Sequence, residues 1–123
     1  MILKKPICPE RIRKITGSFS WLDHRLISGY YLQQMTRNEI PLYFFLVLVS
    51  DKQGLSFYSD ASICELLKIE SVEFYQAREQ LIKRCLIAYD KGLFQVLQLP
   101  DLAKELRSTK GDFCSLKEIL KNL

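Results

Sequence analysis

The chain has one histidine, one tryptophan, four prolines and five glycines in 123 residues. A lone His24 makes a histidine-based metal site or an activated nucleophile improbable. Asp23 and Arg25 flank it, but sequence neighbours on a helix do not face each other. So few glycines leave no glycine-rich loop to cradle a phosphate. The four cysteines, Cys8, Cys64, Cys85 and Cys114, lie 56, 21 and 29 positions apart, so no zinc or thioredoxin-type spacing exists. The longest apolar run, Leu42 to Val49, has eight residues, far fewer than the roughly 20 a membrane-spanning helix needs. No apolar stretch follows Lys4 and Lys5, so no export signal is expected. Reduced thiols in a cytoplasmic protein follow, with Cys64 and Cys85 buried. Carboxylates are scattered, and no acid–base pair can be assembled from them. These absences argue against an enzyme, a metal centre, a cofactor and a membrane anchor.

What is present is one globular domain. Hydrophobic residues make up 48% and charged residues 26%, enough apolar mass for a core without staples. The charge is unevenly placed. Residues 1–15 hold five Lys or Arg against one Glu, a net of +4, and residues 16–123 hold thirteen of each sign. A basic arm on a neutral body is one way to hold a polyanion; it is nearly as well explained as a solubilising tail. The chain divides into a basic arm (1–16), a central domain (17–100) and a C-terminal helical extension (101–123).

Local signals give the elements. Pro9 opens a short helix bearing Ile12 and Ile15, ended by Gly17. Ser20 caps a helix with an apolar stripe of Trp21, Leu22, Leu26 and Ile27, ended by Gly29. A second short segment runs from Tyr30 to Met35. Thr36-Arg37-Asn38-Glu39 is a capping box, and the helix behind it to Ser50 is apolar all round, which predicts a central, buried position. Ser56-Phe57-Tyr58 reads as a strand. Ser59 or Asp60 caps a helix over Ala61 to Lys68, with Ile63, Leu66 and Leu67 on one face. Ser71 caps the next, whose apolar set is Phe74, Ala77 and Leu81. Leu86 to Tyr89 and Leu93 to Leu99 are strands, joined by a hairpin turn at Asp90-Lys91-Gly92. Beyond Pro100, Asp101 starts a short helix. Ser115-Leu116-Lys117-Glu118 is a second capping box, before a helix with Leu116, Ile119, Leu120 and Leu123 on one face.

This order resembles bacterial winged helix-turn-helix proteins, an α+β fold with two helices joined by a tight turn and followed by a hairpin wing. Leu81-Ile82-Lys83-Arg84-Cys85-Leu86-Ile87 looks like a recognition helix running into the wing. Such regulators usually carry glycine where Cys85 stands, so a looser helix exit is expected here. Phe19 to Leu26, Leu42 to Val47, Phe57 to Asp60, and Leu86 to Tyr89 with Leu93 to Val96 are similar to a group of small bacterial helix-turn-helix proteins found beside mobile-element genes. That resemblance implies fold strongly and function weakly.

Double-stranded DNA is then the expected partner. Val72, Gln76, Glu79 and Lys83 fall opposite the buried face of the second helix, flanked by Tyr75 and Gln80. Gln76 suits adenine and Glu79 cytosine; Tyr75, Lys83, Arg84 and the wing-tip Lys91 suit phosphate or methyl contacts. Ser59 and Ser71 stand at helix starts, where backbone N–H groups meet anions. Glu79 and Lys83 equally form an ordinary i, i+4 surface pair. A region this balanced binds weakly by itself, so the arm (Lys4, Lys5, Arg11, Arg13, Lys14) is expected to add attraction. Leu116, Ile119, Leu120 and Leu123 suit a homodimer contact or a docking face on their own domain. Trp21, Phe44, Phe45 and Phe57 are expected to fill the core. Transcription control, or replication or transposition of a mobile element with its partner protein, is the process implied. A protein–protein adaptor built on the same fold is the alternative.

Overall fold

A computed structural model describes residues 3–100 of the chain. Its described residues form an α+β arrangement of five helices and one three-stranded antiparallel sheet. The elements are α1 (Arg25–Ser28), α2 (Tyr31–Gln34), α3 (Glu39–Val49), β1 (Leu55–Phe57), α4 (Asp60–Leu67), α5 (Ser71–Lys83), β2 (Ile87–Asp90) and β3 (Leu93–Val96). The order in the sheet is β1-β3-β2, with Phe57 opposite Leu93 and Ile87 opposite Val96. This layout is compatible with a winged-helix-like arrangement. No described helix is long and apolar enough to cross a membrane. The C-terminal extension, with Leu116, Ile119, Leu120 and Leu123, lies outside the described residues.

The core forms where α3 and α5 cross and lie against the sheet. Leu42 and Leu46 of α3, Ile63 of α4, Phe74 and Leu81 of α5, and Leu86, Ile87 and Phe94 are fully buried. Their spacing in α3 and α5, four and seven residues, sets one stripe of each helix against the other.

The capping box at Thr36 forms in part and does a second task. The Thr36 N–H donates to Glu39 Oε2 at 3.0 Å. The other oxygen of Glu39 accepts from Arg84 Nε at 2.6 Å. Glu39 is wholly buried. Burial pushes its carboxyl up, but the bonds from Arg84 and Thr36 and the guanidinium charge outweigh this and hold it below the ordinary glutamate range. One carboxylate thus ties the start of α3 to the end of α5.

Turns follow the expected chemistry at two places. Lys91 and Gly92 both have positive φ, 47° and 92°, the two-residue hairpin turn that matches strand twist. Gly54, at φ 84°, lies so close to β3 that a Cβ would meet the Val96 carbonyl at 2.5 Å. Its own carbonyl accepts from the Val96 N–H at 2.8 Å.

Several expectations are corrected. The helix expected from Ser20 is only α1. Asp23 accepts the Arg25 N–H at 2.8 Å and pairs with its guanidinium, so the turn closes on itself before the helix starts. Ser20 instead donates to the Leu48 carbonyl at 3.2 Å, which fixes residue 20 beside the end of α3. Of the expected stripe only Leu26 is buried; Trp21 is 80% exposed. Phe44 and Phe57 are also exposed rather than core, while Phe45 lies edge-on to Tyr58. The α3 helix is apolar all round, yet the layers cover only one side of it. Ile40, Phe44 and Leu48 are left outward. Leu66 is likewise exposed.

The helix expected from Pro9 is a single 3₁₀ turn, Pro9–Arg11, with Ile12 extended. Ser71 is the first residue of α5 and not its cap; Glu70 holds that place. Strand β3 stops at Val96, although the Leu97 N–H still reaches the Leu86 carbonyl at 3.0 Å. The exit from α5 is tight despite the missing glycine. Cys85 takes φ 63° itself, and the N–H groups of Cys85 and Leu86 bond the carbonyls of Ile82 and Leu81, a Schellman closure. Cys8 and Cys64 are free thiols, but Cys85 is disulfide-bonded, against the expectation of four reduced thiols.

Replacing Glu39 by alanine leaves the Arg84 charge half-buried without its partner, and a loss of about 3–5 kcal/mol is expected in urea unfolding. The pH dependence follows from the sign of the shift. A carboxyl held low in the folded state stabilises fully above the unfolded value near 4.3 and loses that contribution as pH falls through the folded value. Glu39→Gln should therefore flatten the fall in stability below about pH 4. Lys68 closes α4 at φ 57° and is exposed. A non-glycine residue there costs about 1 kcal/mol, so Lys68→Gly should raise Tm by a few degrees in calorimetry.

Candidate nucleic-acid interface

The surface in question is built on α4, the turn after it, α5 and the β2–β3 hairpin. Ser59 caps α4 by accepting the Ser62 N–H at 3.1 Å, as expected for that position. The left-handed Lys68 turns the chain, and the Ile69 N–H closes on the Cys64 carbonyl at 3.1 Å. Helix α5 then starts three residues on. Its buried face is Phe74, Ala77 and Leu81. Tyr75, Gln76, Glu79 and Lys83 are exposed on the other side, with Val72 and Ser71. The hairpin tip places Lys91 in solvent.

Two arginines are drawn inward. Arg84, expected at phosphate, is turned to Glu39 because that buried carboxylate has no other charged partner among the described residues. Arg78 lies under the hairpin with its side chain 13% exposed. Its guanidinium carbon sits 4.3 Å from the Tyr89 ring centre, 5.0 Å from Tyr75 and 5.4 Å from Phe74. One of its terminal nitrogens is 3.5 Å from Asp60 Oδ1. Arg78 thus joins β2, α5 and the first residue of α4, through the π-faces of three rings and one carboxylate.

The charge balance follows. With Arg78 and Arg84 engaged, the cations left on this surface are Lys68, Lys83 and Lys91. Glu65, Glu70, Glu79 and Asp90 are exposed among them, and Glu73 is half-buried. The arm has the opposite character: Lys4, Lys5, Arg11, Arg13 and Lys14 are all exposed. Among the described residues, no group of three His, Cys, Asp or Glu could hold a metal ion. Sequence reasoning missed the Glu39 anchor. Its signal was the position in the capping box, which accounted for one oxygen and left the second unexplained.

Truncating Arg78 to alanine removes the stacked guanidinium and exposes Tyr89. A loss of about 1–2 kcal/mol is expected, with faster amide exchange in β2 and β3 than in α3. Comparison of the chain with family models, with curated proteins and with solved structures finds no match to any of them.

Proposed function

We propose that the chain is a winged helix-turn-helix protein that binds double-stranded DNA, in transcription control or in the replication or transposition of a mobile element. The observation that carries this reading is the open outer face of α5. Tyr75, Gln76, Glu79 and Lys83 stand in solvent on a helix whose opposite face is fixed in the core. A helix presented in this way fits the major groove, where Gln76 reads adenine and Glu79 accepts from cytosine. Lys91 at the hairpin tip and Lys83 meet backbone phosphate. Ser59 and Ser71 stand at the starts of α4 and α5, where N–H groups face an anion. The arm supplies the bulk of the electrostatic attraction, since the body has little positive charge to spare.

The withdrawal of Arg78 and Arg84 favours a second reading. A surface with more exposed acids than cations suits a basic protein partner, and the chain would then be an adaptor. Titration with a mixed-sequence duplex at two salt concentrations separates the two. The DNA reading expects binding at low salt that weakens as salt rises. No binding at low salt leaves the adaptor.

Removing residues 1–15 should make the slope of log affinity against log salt shallower by about 4.5, the release expected for five phosphate contacts. An unchanged slope rules out the arm. Gln76→Ala should cost about 1–3 kcal/mol on the preferred site and relax the choice at one base pair, measured by competition between duplexes.

A further inference from the structure

We propose that the outer ridge of α3 pairs with the same ridge of a second copy of this chain, antiparallel, about a two-fold axis at Phe44. The ridge is Ile40, Phe44 and Leu48, spaced four residues apart on one line of the helix and all exposed. The buried stripe of α3, Leu42 and Leu46, lies on the other side. Ser20 is bonded to the Leu48 carbonyl, so Phe19 and Trp21, both exposed, sit beside that end of the ridge. A contiguous apolar strip of this kind marks a contact surface.

The charges at its two ends point to the occupant. Arg37 precedes Ile40 by three positions and Asp51 follows Leu48 by three, and both are exposed. Neither has an ion-pair partner among the described residues. One oxygen of Asp51 accepts the N–H groups of Gln53 and Leu55 at 2.9 Å, which leaves the other open. Each charge also stands at the wrong end of its own helix. The N-terminus is the positive pole and favours anions, and the C-terminus favours cations. Here the cation comes before the first turn and the anion after the last.

An antiparallel second copy corrects both. Positions equidistant from Phe44 then face each other, as an isologous contact requires. Phe44 meets Phe44 at the axis. Ile40 of one copy meets Leu48 of the other, and Arg37 of one meets Asp51 of the other, each pairing occurring twice. The strip is thus its own complement in polarity and in charge. A parallel pairing would set Arg37 against Arg37 and Asp51 against Asp51, and like charges opposed across a contact are repulsive. The contact is small: three ridge side chains, two aromatics and two charged ends fall short of the roughly 800 Å² and 20–30 residues per partner of a standard interface. The dimer is therefore weak, with Kd on the order of tens of micromolar. Helix α5 packs on the buried side of α3, so its outer face stays open, and the pairing stands whether or not that face reads DNA.

The test is sedimentation equilibrium of the full-length chain at low salt, over about tenfold either side of that Kd. The mass is expected to rise from that of one chain toward that of two. Phe44→Asp sets two carboxylates face to face at the axis and should weaken the dimer about 100-fold or more. Its side chain is half exposed in the single copy, so Tm should hold. Arg37→Glu should weaken the dimer about tenfold, because two attractions become two repulsions. Adding Asp51→Asn keeps the oxygen that holds Gln53 and Leu55 but drops the charge, and should recover about half of that loss on a logarithmic scale. If Phe44→Asp fails to fold, the Arg37 series decides alone. A one-chain mass at every concentration overturns the proposal and leaves the ridge to the rest of this chain or to a different protein. A dimer untouched by Phe44→Asp overturns it too. So does an Arg37→Glu effect that Asp51→Asn leaves unchanged, which would place the contact elsewhere.

Discussion

The ion pair between Glu39 and Arg84 holds the two halves of the domain in register. A carboxylate taken wholly out of water is tolerable only if both oxygens are satisfied, and here one is met by a backbone N–H and the other by a guanidinium. The geometry leaves little freedom. Helix α3 must begin where its capping residue puts Glu39, and α5 must end where Arg84 reaches it. Between those points Leu42, Leu46, Phe74 and Leu81 close the core. The hairpin is fixed in turn, because the Schellman closure at Cys85 sends the chain directly into β2.

A second cation organises the other end. Arg78 sits among Tyr89, Tyr75 and Phe74 and reaches Asp60. The two arginines nearest the proposed reading surface are therefore structural. On the proposed reading the electrostatic task then falls to the arm, and the function is one of two cooperating parts. Helix α5 offers shape and hydrogen bonding, and residues 4–14 offer charge.

Much of the fold was legible in the sequence because local signals and periodicity agreed. Thr36 to Glu39, Ser59, the Phe74-Ala77-Leu81 stripe and Lys91-Gly92 each named an element and its boundary within about two residues. The failures have identifiable causes. Trp21, Phe44 and Phe57 were assigned to the core by residue type alone, and type does not say which side of an element a second layer will cover. The apolar α3 was expected to be buried all round for the same reason. The stripe at Trp21 failed because Asp23 spent its oxygens on Arg25 and delayed the helix. At the candidate site, the outer face of α5 followed from a helical wheel. The fate of Arg84 did not, since a partner 45 residues away leaves no local trace.

The bond from Ser20 to the Leu48 carbonyl has a consequence for scale. It sets the point from which the arm departs, so the arm is a tether of defined length. Lys14 lies within about 20 Å of that anchor and Lys4 within about 55 Å at full extension. A polyanion bound on the body, as proposed, would meet these cations at a high effective concentration. Lengthening or shortening residues 15–19 would tune that concentration without altering any contact in the domain.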